Sequence, residues 1–325
     1  MPFTDFPLES LRNYRPDVLE PADFDAFWQN TLEESRAADR GFTLTPAETS
    51  VNILLIEDLT FSGFNGEPIR AWVVRPRSDE PLPTIIEFQG YNGGRGLPGE
   101  KLGWGASGYV HILMDTRGQG SGWGSGGDTP DPHGSGPATA GFMTRGITDE
   151  REYYYRRVYT DAARLVEQVA TMDFVDPTRI ALAGASQGGG IAIAAAALAP
   201  IARAVMPEVP FLSHFRRAVE ATAEEPFTEI TRYLSVHRDQ VDSVFATLSY
   251  FDGVNFARRI SIPALFSAAL MDGIVIPSTI FAAYNHLASA DRSIEVYPYN
   301  GHEGGQYHHW VKQTQWLPGR LAPER

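Results

Sequence analysis

The sequence contains no cysteine among its 325 residues. Disulfide bridges, thiolate metal sites and cysteine nucleophiles are therefore excluded. The eight histidines are scattered rather than set at the spacings typical of zinc ligands, so we expect neither a metal nor another cofactor. Any nucleophile that this chain uses must be an oxygen.

Basic residues are also scarce. Lysine and arginine together number 27 against 40 aspartates and glutamates, which gives a formal net charge of −13. The average field of such a surface repels nucleic acid, anionic lipid and strongly acidic substrates. We therefore expect a small neutral substrate, and neither a nucleic-acid nor a membrane partner.

Long apolar runs are missing as well. No stretch reaches the roughly 18 apolar residues of a membrane span, and the first residues are acidic and proline-containing where a secretion signal has a basic start and an apolar core. The remaining composition is that of an ordinary globular enzyme. The sequence therefore predicts a soluble protein of the cytoplasm.

What the chain does have is an alternation of strands and helices. Two opening strands are predicted at 52–62 and 69–75, and short apolar runs typical of doubly buried parallel strands follow at 84–88, 110–114, 180–183, 204–209, 264–269 and 293–297. Helical patterns lie at 21–38, 159–172, 190–199 and 278–287. This alternation predicts an α/β fold with a mostly parallel central sheet flanked by helices.

Two regions interrupt the alternation. Residues 118–146 form a long loop rich in glycine and proline, and long loops in compact domains are usually functional. Residues 212–256 have the pattern of helices inserted between consecutive strands, where they would cover the site as a cap. With an N-terminal helical extension over about residues 1–45, these regions belong to one predicted domain spanning 1–325.

The strongest local motif is G-x-S-x-G at residues 184–188. It follows an apolar strand and precedes an alanine-rich helix, which is the context of a nucleophile elbow. Small residues on both sides of Ser186 let the chain turn tightly and hold the hydroxyl above the sheet. The same motif also occurs by chance in turns, and the three glycines that follow lack the lysine of a phosphate-binding loop. The context favours Ser186 as the nucleophile.

The predicted catalytic base is His302. In architectures that carry such an elbow, the partners follow in the order serine, acid, histidine, each on a loop after a later strand. His302 lies between glycines directly after the last predicted strand, whereas His286, His308 and His309 fall on helices. For those three histidines we expect a structural or solvated role.

The predicted acid is Asp272, which directly follows the predicted strand 264–269. It would hold the correct tautomer of His302 and stabilise the imidazolium. Two alternatives exist: Asp272 caps the helix that begins near Pro277, or Asp252 in the insertion is the acid.

The oxyanion hole is predicted to use two backbone N–H groups. One belongs to Gln187, directly after the nucleophile, and the other to Tyr91, in the glycine-rich loop after the third strand. That loop is alternatively only a flexible turn.

With these residues in place, the chain resembles the acetyl xylan esterase and cephalosporin C deacetylase family, carbohydrate esterase family 7 of the α/β-hydrolases. The resemblance runs over nearly the whole chain. Its motifs are G-Y-N-G-G at 90–94, R-G-Q-G at 117–120, Y-Y-Y-R-R-V-Y-T-D at 153–161, G-A-S-Q-G-G-G at 184–190 and G-H-E-G-G at 301–305.

The resemblance implies a deacetylase with the triad Ser186, Asp272 and His302, and with the N–H groups of Tyr91 and Gln187 as the oxyanion hole. It also implies a cytoplasmic hexamer, a dimer of trimers, whose enclosed sites admit short acetylated oligosaccharides, such as xylo-oligosaccharides, better than polymer. Acyl transfer to hydrogen peroxide would be a side reaction. By the same resemblance, Arg117 braces loops around the site, and Tyr153-Tyr154-Tyr155 serves packing and interfaces.

The chain departs from the family at two places. Val275-Ile276 stands where members often have Cys-Pro, and Ser213 replaces a common cysteine. The bulk of Val275 and Ile276 is expected to reshape the acyl pocket or a trimer contact. Alternative functions are a peptidase or longer-chain esterase on the same fold, and a catalytically silent binding protein.

Overall fold

In the computed structural model, residues 5–134 and 136–322 can be described. Residues 1–4 of the predicted extension, Ser135 in the predicted loop and the last residues of the predicted domain, 323–325, lie outside this range. Within it, nine strands form one sheet. The strands are β1 (Phe42–Pro46), β2 (Leu55–Ser62), β3 (Pro68–Arg75), β4 (Leu82–Phe88), β5 (Val110–Met114), β6 (Val175–Ala185), β7 (Ala204–Glu208), β8 (Ala264–Ala269) and β9 (Arg292–Tyr297).

The strand order is β1-β2-β3-β5-β4-β6-β7-β8-β9. β1, β2 and β3 pair antiparallel, β3 is antiparallel to β5, and the strands from β5 through β4 to β9 are mutually parallel. The mostly parallel sheet predicted from the sequence is therefore confirmed. The carboxyl ends of the parallel strands meet at one edge, where the loops that follow them lie side by side.

Helices cover the sheet. They are α1 (Leu8–Arg12), α2 (Phe24–Ala37), α3 (Gly103–Ala106), α4 (Tyr154–Val169), α5 (Gln187–Leu198), α6 (Phe215–Ala221), α7 (Phe227–Val236), α8 (Val241–Ser249), α9 (Gly253–Ala257), α10 (Pro277–His286) and α11 (Gln306–Trp316). Helices α6 to α9 occupy the predicted insertion between β7 and β8. α5 packs on the sheet beneath α4, with nearly every side chain buried.

Several element boundaries differ from the prediction, most of them by a few residues. α4 begins at Tyr154 rather than 159, because Tyr154, Tyr155 and Arg157 of its first turn are all buried and blur the apolar stripe. α5 begins at Gln187 rather than 190, because its first turn consists of Gln187 and three buried glycines, which have low helix propensity. The predicted helical extension ends in a strand, Phe42–Pro46, which pairs with β2 at the outer edge of the sheet. This strand was not predicted, because five mostly exposed residues are too few to show the alternation of apolar and polar residues that marks a strand.

The long loop after β5 is fixed by buried ionic groups rather than by regular structure. Arg117 is fully buried and donates to Asp161 of α4 at 2.6 Å and to Glu67 at 2.5 Å. Asp115 accepts the backbone N–H groups of Asp128 and Thr129 at 2.8 and 3.0 Å. The structural role predicted for Arg117 is confirmed.

Candidate active site

Ser186 lies at the junction of β6 and α5 with φ 55° and ψ −119°, a conformation that residues with a side chain rarely adopt. The flanking glycines make this turn possible. A Cβ at Gly184 would lie 2.4 Å from the backbone of Gly188, and one at Gly188 would lie 2.1 Å from the carbonyl oxygen of Phe88. The G-x-S-x-G pattern is therefore a steric requirement of the turn.

His302 lies in the loop after β9 and contacts both of its predicted partners. Its Nε2 is 2.9 Å from Ser186 Oγ, and its Nδ1 is 2.8 Å from Asp272 Oδ2. The imidazole is about one-quarter exposed, whereas the Asp272 side chain is fully buried. The structure thus brings Ser186, His302 and Asp272 into one continuous series of hydrogen bonds.

The loop after β8 fixes the orientation of the Asp272 carboxylate. The backbone N–H groups of Ile274 and Val275 both donate to Oδ1 at 2.9 Å. These bonds leave Oδ2 directed at His302. The loop therefore holds one carboxylate oxygen of Asp272 in a fixed position beside the imidazole.

The two alternative roles weighed for the acid do not match the structure. α10 is preceded by Ile276 at its N-cap, so Asp272 is not the cap of that helix. Asp252 is itself an N-cap, of α9, and accepts the N–H of Val254 at 3.0 Å. Its second oxygen accepts the N–H of Phe215. Both oxygens of Asp252 therefore serve the inserted helices.

Gln187 begins α5, so its backbone N–H belongs to the first turn, whose N–H groups have no carbonyl one turn back to bond. Its side chain is fully buried and forms a reciprocal amide pair with Gln119, at 2.9 and 3.1 Å. Its amide oxygen also accepts the hydroxyl of Tyr155 at 2.9 Å. These contacts fix the residue beside Ser186 and explain why glutamine suits this position.

Tyr91 is held in place through its hydroxyl. The hydroxyl donates to Glu229 of α7 at 2.5 Å and accepts the N–H of Phe142 at 2.6 Å. Burial, and then the neighbouring Glu229 carboxylate, raises the pKa of Tyr91. The backbone oxygen of Tyr91 accepts the indole N–H of Trp123 at 2.7 Å. Both the side-chain hydroxyl and the backbone oxygen of Tyr91 are therefore hydrogen-bonded, which contradicts the alternative that the loop is only a flexible turn.

Sequence reasoning missed Glu208, the last residue of β7. Its backbone carbonyl accepts the N–H of Ser186 at 2.9 Å, and its carboxylate accepts the N–H of Gln306 at 3.2 Å. Burial raises the pKa of Glu208 to about 7, against the opposing influence of the N–H of Gln306 and of His302. A glutamate ending a buried strand was the available signal, but its partners lie far away in the sequence.

Comparison with known proteins places the chain in a family. The family model for acetyl xylan esterase (AXE1) matches residues 1–320. The chain belongs to the acetyl xylan esterase family. As a member, it falls within the carboxylic ester hydrolases, as the sequence predicted.

Similar structures support this membership. The acetyl xylan esterase from Paenibacillus sp. R4 is 37% identical, with a TM-score of 0.91 over 97% of this chain and 100% of that one. Acetyl xylan esterase 1 from Thermoanaerobacterium sp. JW/SL YS485 is 35% identical, with a TM-score of 0.90 over 98% and 99%. An acylaminoacyl peptidase from Pyrococcus horikoshii, at 14% identity and a TM-score of 0.61 over 85% of this chain and 43% of that one, shares only the fold.

A curated relative is more distant. The acetyl esterase Axe7A of Xylanibacter ruminicola is 23% identical over 308 residues, which cover 89% of this chain. The match spans 65% of the length of that relative.

In this acetyl xylan esterase family member, Ser186 and His302 line a cavity of about 720 Å³. Tyr91 and Trp123 form part of its wall, and Ile274 lies on the side of the acid loop. A cavity of this size holds a small ester together with part of its alcohol.

Val275 and Ile276 do not shape this cavity. Their side chains are buried in the core, at 0% and 2% exposure, and the preceding Ile274 lines the cavity instead. The expectation that they reshape the acyl pocket is therefore wrong. Because they are already buried within one chain, they also offer no surface for a contact between chains.

The other candidate histidines have structural or exposed positions, as predicted. His309 is buried, its Nδ1 lies 3.0 Å from the hydroxyl of Tyr297, and burial lowers its pKa to about 4. His286 bonds the carbonyl of Ala282 one turn back at 2.8 Å, and His308 is exposed. Only His302, of these, faces Ser186.

Two features are absent from the described residues. No cluster of three or more histidine, aspartate or glutamate side chains there has the geometry to hold a metal ion. No helix among residues 5–134 and 136–322 combines the length and apolarity that crossing a membrane requires.

Proposed function

We propose that this chain is a serine esterase that removes acetyl groups from acetylated oligosaccharides or similar small polar esters. The observation that carries the proposal is the series of hydrogen bonds from Ser186 to His302 to Asp272, at 2.9 and 2.8 Å. Serine, histidine and aspartate in this order form an activated nucleophile. The names of the related acetyl xylan esterases support both the acetyl group and a carbohydrate alcohol.

In the proposed mechanism, His302 Nε2 removes the proton of Ser186 Oγ as Oγ attacks the acetyl carbonyl carbon. The N–H groups of Gln187 and Tyr91 receive the negative charge that develops on the carbonyl oxygen. The bond to the alcohol then breaks, and the imidazolium protonates the leaving oxygen. Water, activated by the same imidazole, attacks the acetyl-serine and releases acetate.

The acid makes this sequence possible at neutral pH. Asp272 Oδ2 accepts the Nδ1–H of His302, so that the unprotonated Nε2 faces Ser186 in the resting state. When the imidazole takes the proton of serine, the buried carboxylate stabilises the new positive charge.

The test is Ser186→Ala. Loss of the nucleophile is expected to reduce hydrolysis of p-nitrophenyl acetate by at least about three orders of magnitude with little change in melting temperature. The control is Ser235→Ala, since Ser235 is exposed on α7 and bonds only its own helix. Near-normal turnover by Ser186→Ala would refute the assignment. Failure of a fluorophosphonate to label Ser186 would instead favour a silent binding protein.

Substrate class is tested separately with a panel of acyl lengths. p-Nitrophenyl acetate, butyrate and octanoate, with aminoacyl amides, are compared by kcat/KM. We expect acetate to be preferred and the amides to be inert. A preference for octanoate would identify a longer-chain esterase, and amide cleavage would identify a peptidase.

We also propose, from the resemblance, a cytoplasmic homohexamer arranged as a dimer of trimers that acts on acetylated xylo-oligosaccharides and on cephalosporin C. The net charge of −13 favours the neutral xylo-oligosaccharides over cephalosporin C, which is anionic at neutral pH. Acetate release from acetylated xylo-oligosaccharides and from cephalosporin C, measured with the same enzyme preparation, ranks these substrates. Light scattering measures the assembly.

A further inference from the structure

A second cavity of about 540 Å³ opens beside the catalytic cavity. The two cavities share four lining residues and therefore form one continuous groove that runs from Ser186 to the start of α11. The shared residues are Glu87, Lys101, Glu208 and Gln306. A ligand that reaches Ser186 can thus extend along the surface into the second cavity.

Aromatic rings line the outer part of this groove. Tyr307 is 82% exposed, and its ring centroid lies 6.2 Å from that of the half-buried Trp310. Trp310 in turn packs edge-on against the buried Trp104, with centroids 5.6 Å apart. Trp104 thus supports Trp310 from beneath, while Tyr307 remains free of the core. A tyrosine so exposed contributes little to folding, and its ring is accessible to a ligand that enters the groove.

The polar groups of the groove suit an uncharged ligand rich in hydroxyl groups. Lys101 is paired with Glu87, and His111 Nε2 lies 2.9 Å from the same carboxylate. Glu100 adds a further acceptor for hydroxyl protons at the wall. Because the cation is neutralised by its partner, the groove offers hydrogen bonds without a net attraction for anions.

We propose that the outer groove is a binding subsite for a sugar ring of the substrate other than the ring that carries the acetyl group. The C–H face of a pyranose would pack on the rings of Tyr307 and Trp310, and its hydroxyls would bond Glu87 and Glu100. Aromatic side chains combine an apolar face with a polar edge, which matches a sugar on both counts. This proposal rests on the proposed esterase function, because only an oligosaccharide ester spans both cavities.

The test compares substrates of different length. Tyr307→Ala is expected to lower kcat/KM for acetylated xylotetraose about fivefold to tenfold, through KM, while p-nitrophenyl acetate and acetylated xylose are unaffected. Tyr307→Phe keeps the ring and is expected to retain the activity. The matched control is Tyr299→Ala, because Tyr299 is also 79% exposed but lines neither cavity.

Equal kcat/KM values of Tyr307→Ala and the wild type on the tetraose would overturn the subsite. So would a change of oligomeric mass in Tyr307→Ala without a dependence on substrate length, which would make the ring a contact between copies. Failure of the esterase proposal itself is distinguishable, because the wild type would then not hydrolyse p-nitrophenyl acetate.

Independently, the hydrogen bonds of Glu208 connect the nucleophile to the loop of the base. Its main chain accepts the N–H of Ser186, and its side chain accepts the N–H of Gln306, four residues after His302. Gln306 has a strained φ of 44° and begins α11, whose N-terminus favours a negative charge.

We further propose that Glu208 is a positioning residue that sets the separation of Ser186 and His302. This role likewise rests on the proposed esterase function. The charged and titratable groups around Glu208 are Glu87 with its partner Lys101, His302 in the loop after β9, and Tyr297 on β9. His302 is therefore placed by two carboxylates: Asp272 orients its ring, and Glu208 holds its loop.

The variant Glu208→Gln keeps the shape of the side chain and removes its charge. We expect kcat to fall about tenfold at pH 8 with KM unchanged, because a small displacement of the base slows proton transfer. In the wild type, protonation of Glu208 is expected to lower kcat as the pH falls through about 7. This part of the pH dependence of kcat is expected to be absent from Glu208→Gln. Glu208→Asp retains the charge and is expected to recover part of kcat.

Stability separates this role from a purely structural one. Because the folded pKa of Glu208 is raised to about 7, the folded chain binds this proton more tightly than the unfolded chain, and the contribution of Glu208 to stability falls as pH rises from about 4.5 to 7. The difference in melting temperature between Glu208→Gln and the wild type is therefore expected to be more favourable to the variant at pH 8 than at pH 5. Unchanged kcat, or parallel losses of kcat and melting temperature at pH 8, would overturn the proposal.

Discussion

The two buried aspartates near the site bind different groups, and this difference separates a candidate acid from a structural one. One carboxylate oxygen of Asp272 accepts hydrogen bonds from its own loop, and the other bonds His302. Both carboxylate oxygens of Asp252 accept backbone N–H groups of the inserted helices. A carboxylate that caps helices stabilises the fold, whereas one that bonds an imidazole fixes its tautomer.

This difference predicts opposite effects of the same substitution. Asp272→Asn should lower kcat about 10³- to 10⁴-fold, because an amide N–H facing Nδ1 favours the tautomer whose Nε2 carries the proton and cannot act as base. The matched control Asp252→Asn should lower the melting temperature while kcat stays within a few-fold of wild type. Assays with p-nitrophenyl acetate and thermal denaturation measure both. The reverse pattern would make Asp252 the acid.

The hydroxyl of Tyr91 gives a second prediction. Tyr91→Phe removes a partner from Glu229 and from the N–H of Phe142, and leaving buried polar groups unpaired costs about 1–3 kcal/mol. Urea unfolding should show this loss. Tyr250→Phe is the control, because its bond to Asp23 is exposed and should contribute less than about 1 kcal/mol. Equal stability of the Tyr91 variant and the wild type would contradict the tethering of this loop.

Residue-level prediction from the sequence succeeds where the signal is local. The two glycines near Ser186 predict its tight turn. The position of His302 directly after the last predicted strand is also a local signal. Glu208 could not be found this way, because its role depends on Gln306, 98 positions later. The same holds for Glu229, whose contact with Tyr91 joins an inserted helix to a loop far earlier in the chain.

At the scale of elements, buried ions replace regular structure in the loop after β5. Arg117 joins this loop to α4 through Asp161 and to the start of β3 through Glu67. The composition predicted a long loop but gave no indication of what holds it in place. The structure shows it fixed at its start by a guanidinium in a fully buried position.

Breaking this link should therefore be costly. Arg117→Met leaves buried carboxylates without their partner and is expected to lower the free energy of unfolding by about 3–5 kcal/mol. The double variant Arg117→Met/Asp161→Leu should recover part of this loss, because it removes one of the unpaired charges. Arg232→Met, which breaks an exposed pair with Glu225, should cost less than about 1 kcal/mol. Chemical denaturation checks all three, and a small loss for Arg117→Met would contradict the argument.

Helix boundaries show the limit of pattern reading. The first turn of α4 has two buried tyrosines followed by two arginines, of which Arg157 is buried, and the first turn of α5 has buried glycines, so an apolar stripe and an exposed polar face do not separate clearly where these helices begin. Glycine also has low helix propensity, which makes residues 188–190 look like loop. Tertiary contacts with the sheet stabilise these turns, and they are visible only once the fold is assembled.

At the scale of the molecule, the order of strands determines where the site lies. The loops after β4, β6, β8 and β9 carry Tyr91, Ser186, Asp272 and His302, and parallel pairing brings those loops to one edge. The sequence sufficed for this arrangement, because doubly buried strands alternate with helices. It could not give the groove toward Tyr307, which depends on how α11 packs beside the loop after β4.

The proposed hexamer leads to a prediction about salt. Each chain carries a formal charge of −13, so six copies brought together repel one another over distances comparable to the Debye length, about 10 Å at 0.1 M salt. We expect the hexamer to persist at about 0.5 M sodium chloride and to dissociate toward trimers or smaller species at about 10 mM. Light scattering on a sizing column measures the mass at each salt concentration. A monomer mass throughout would contradict the assembly, and a hexamer indifferent to salt would show that apolar contacts outweigh the charge.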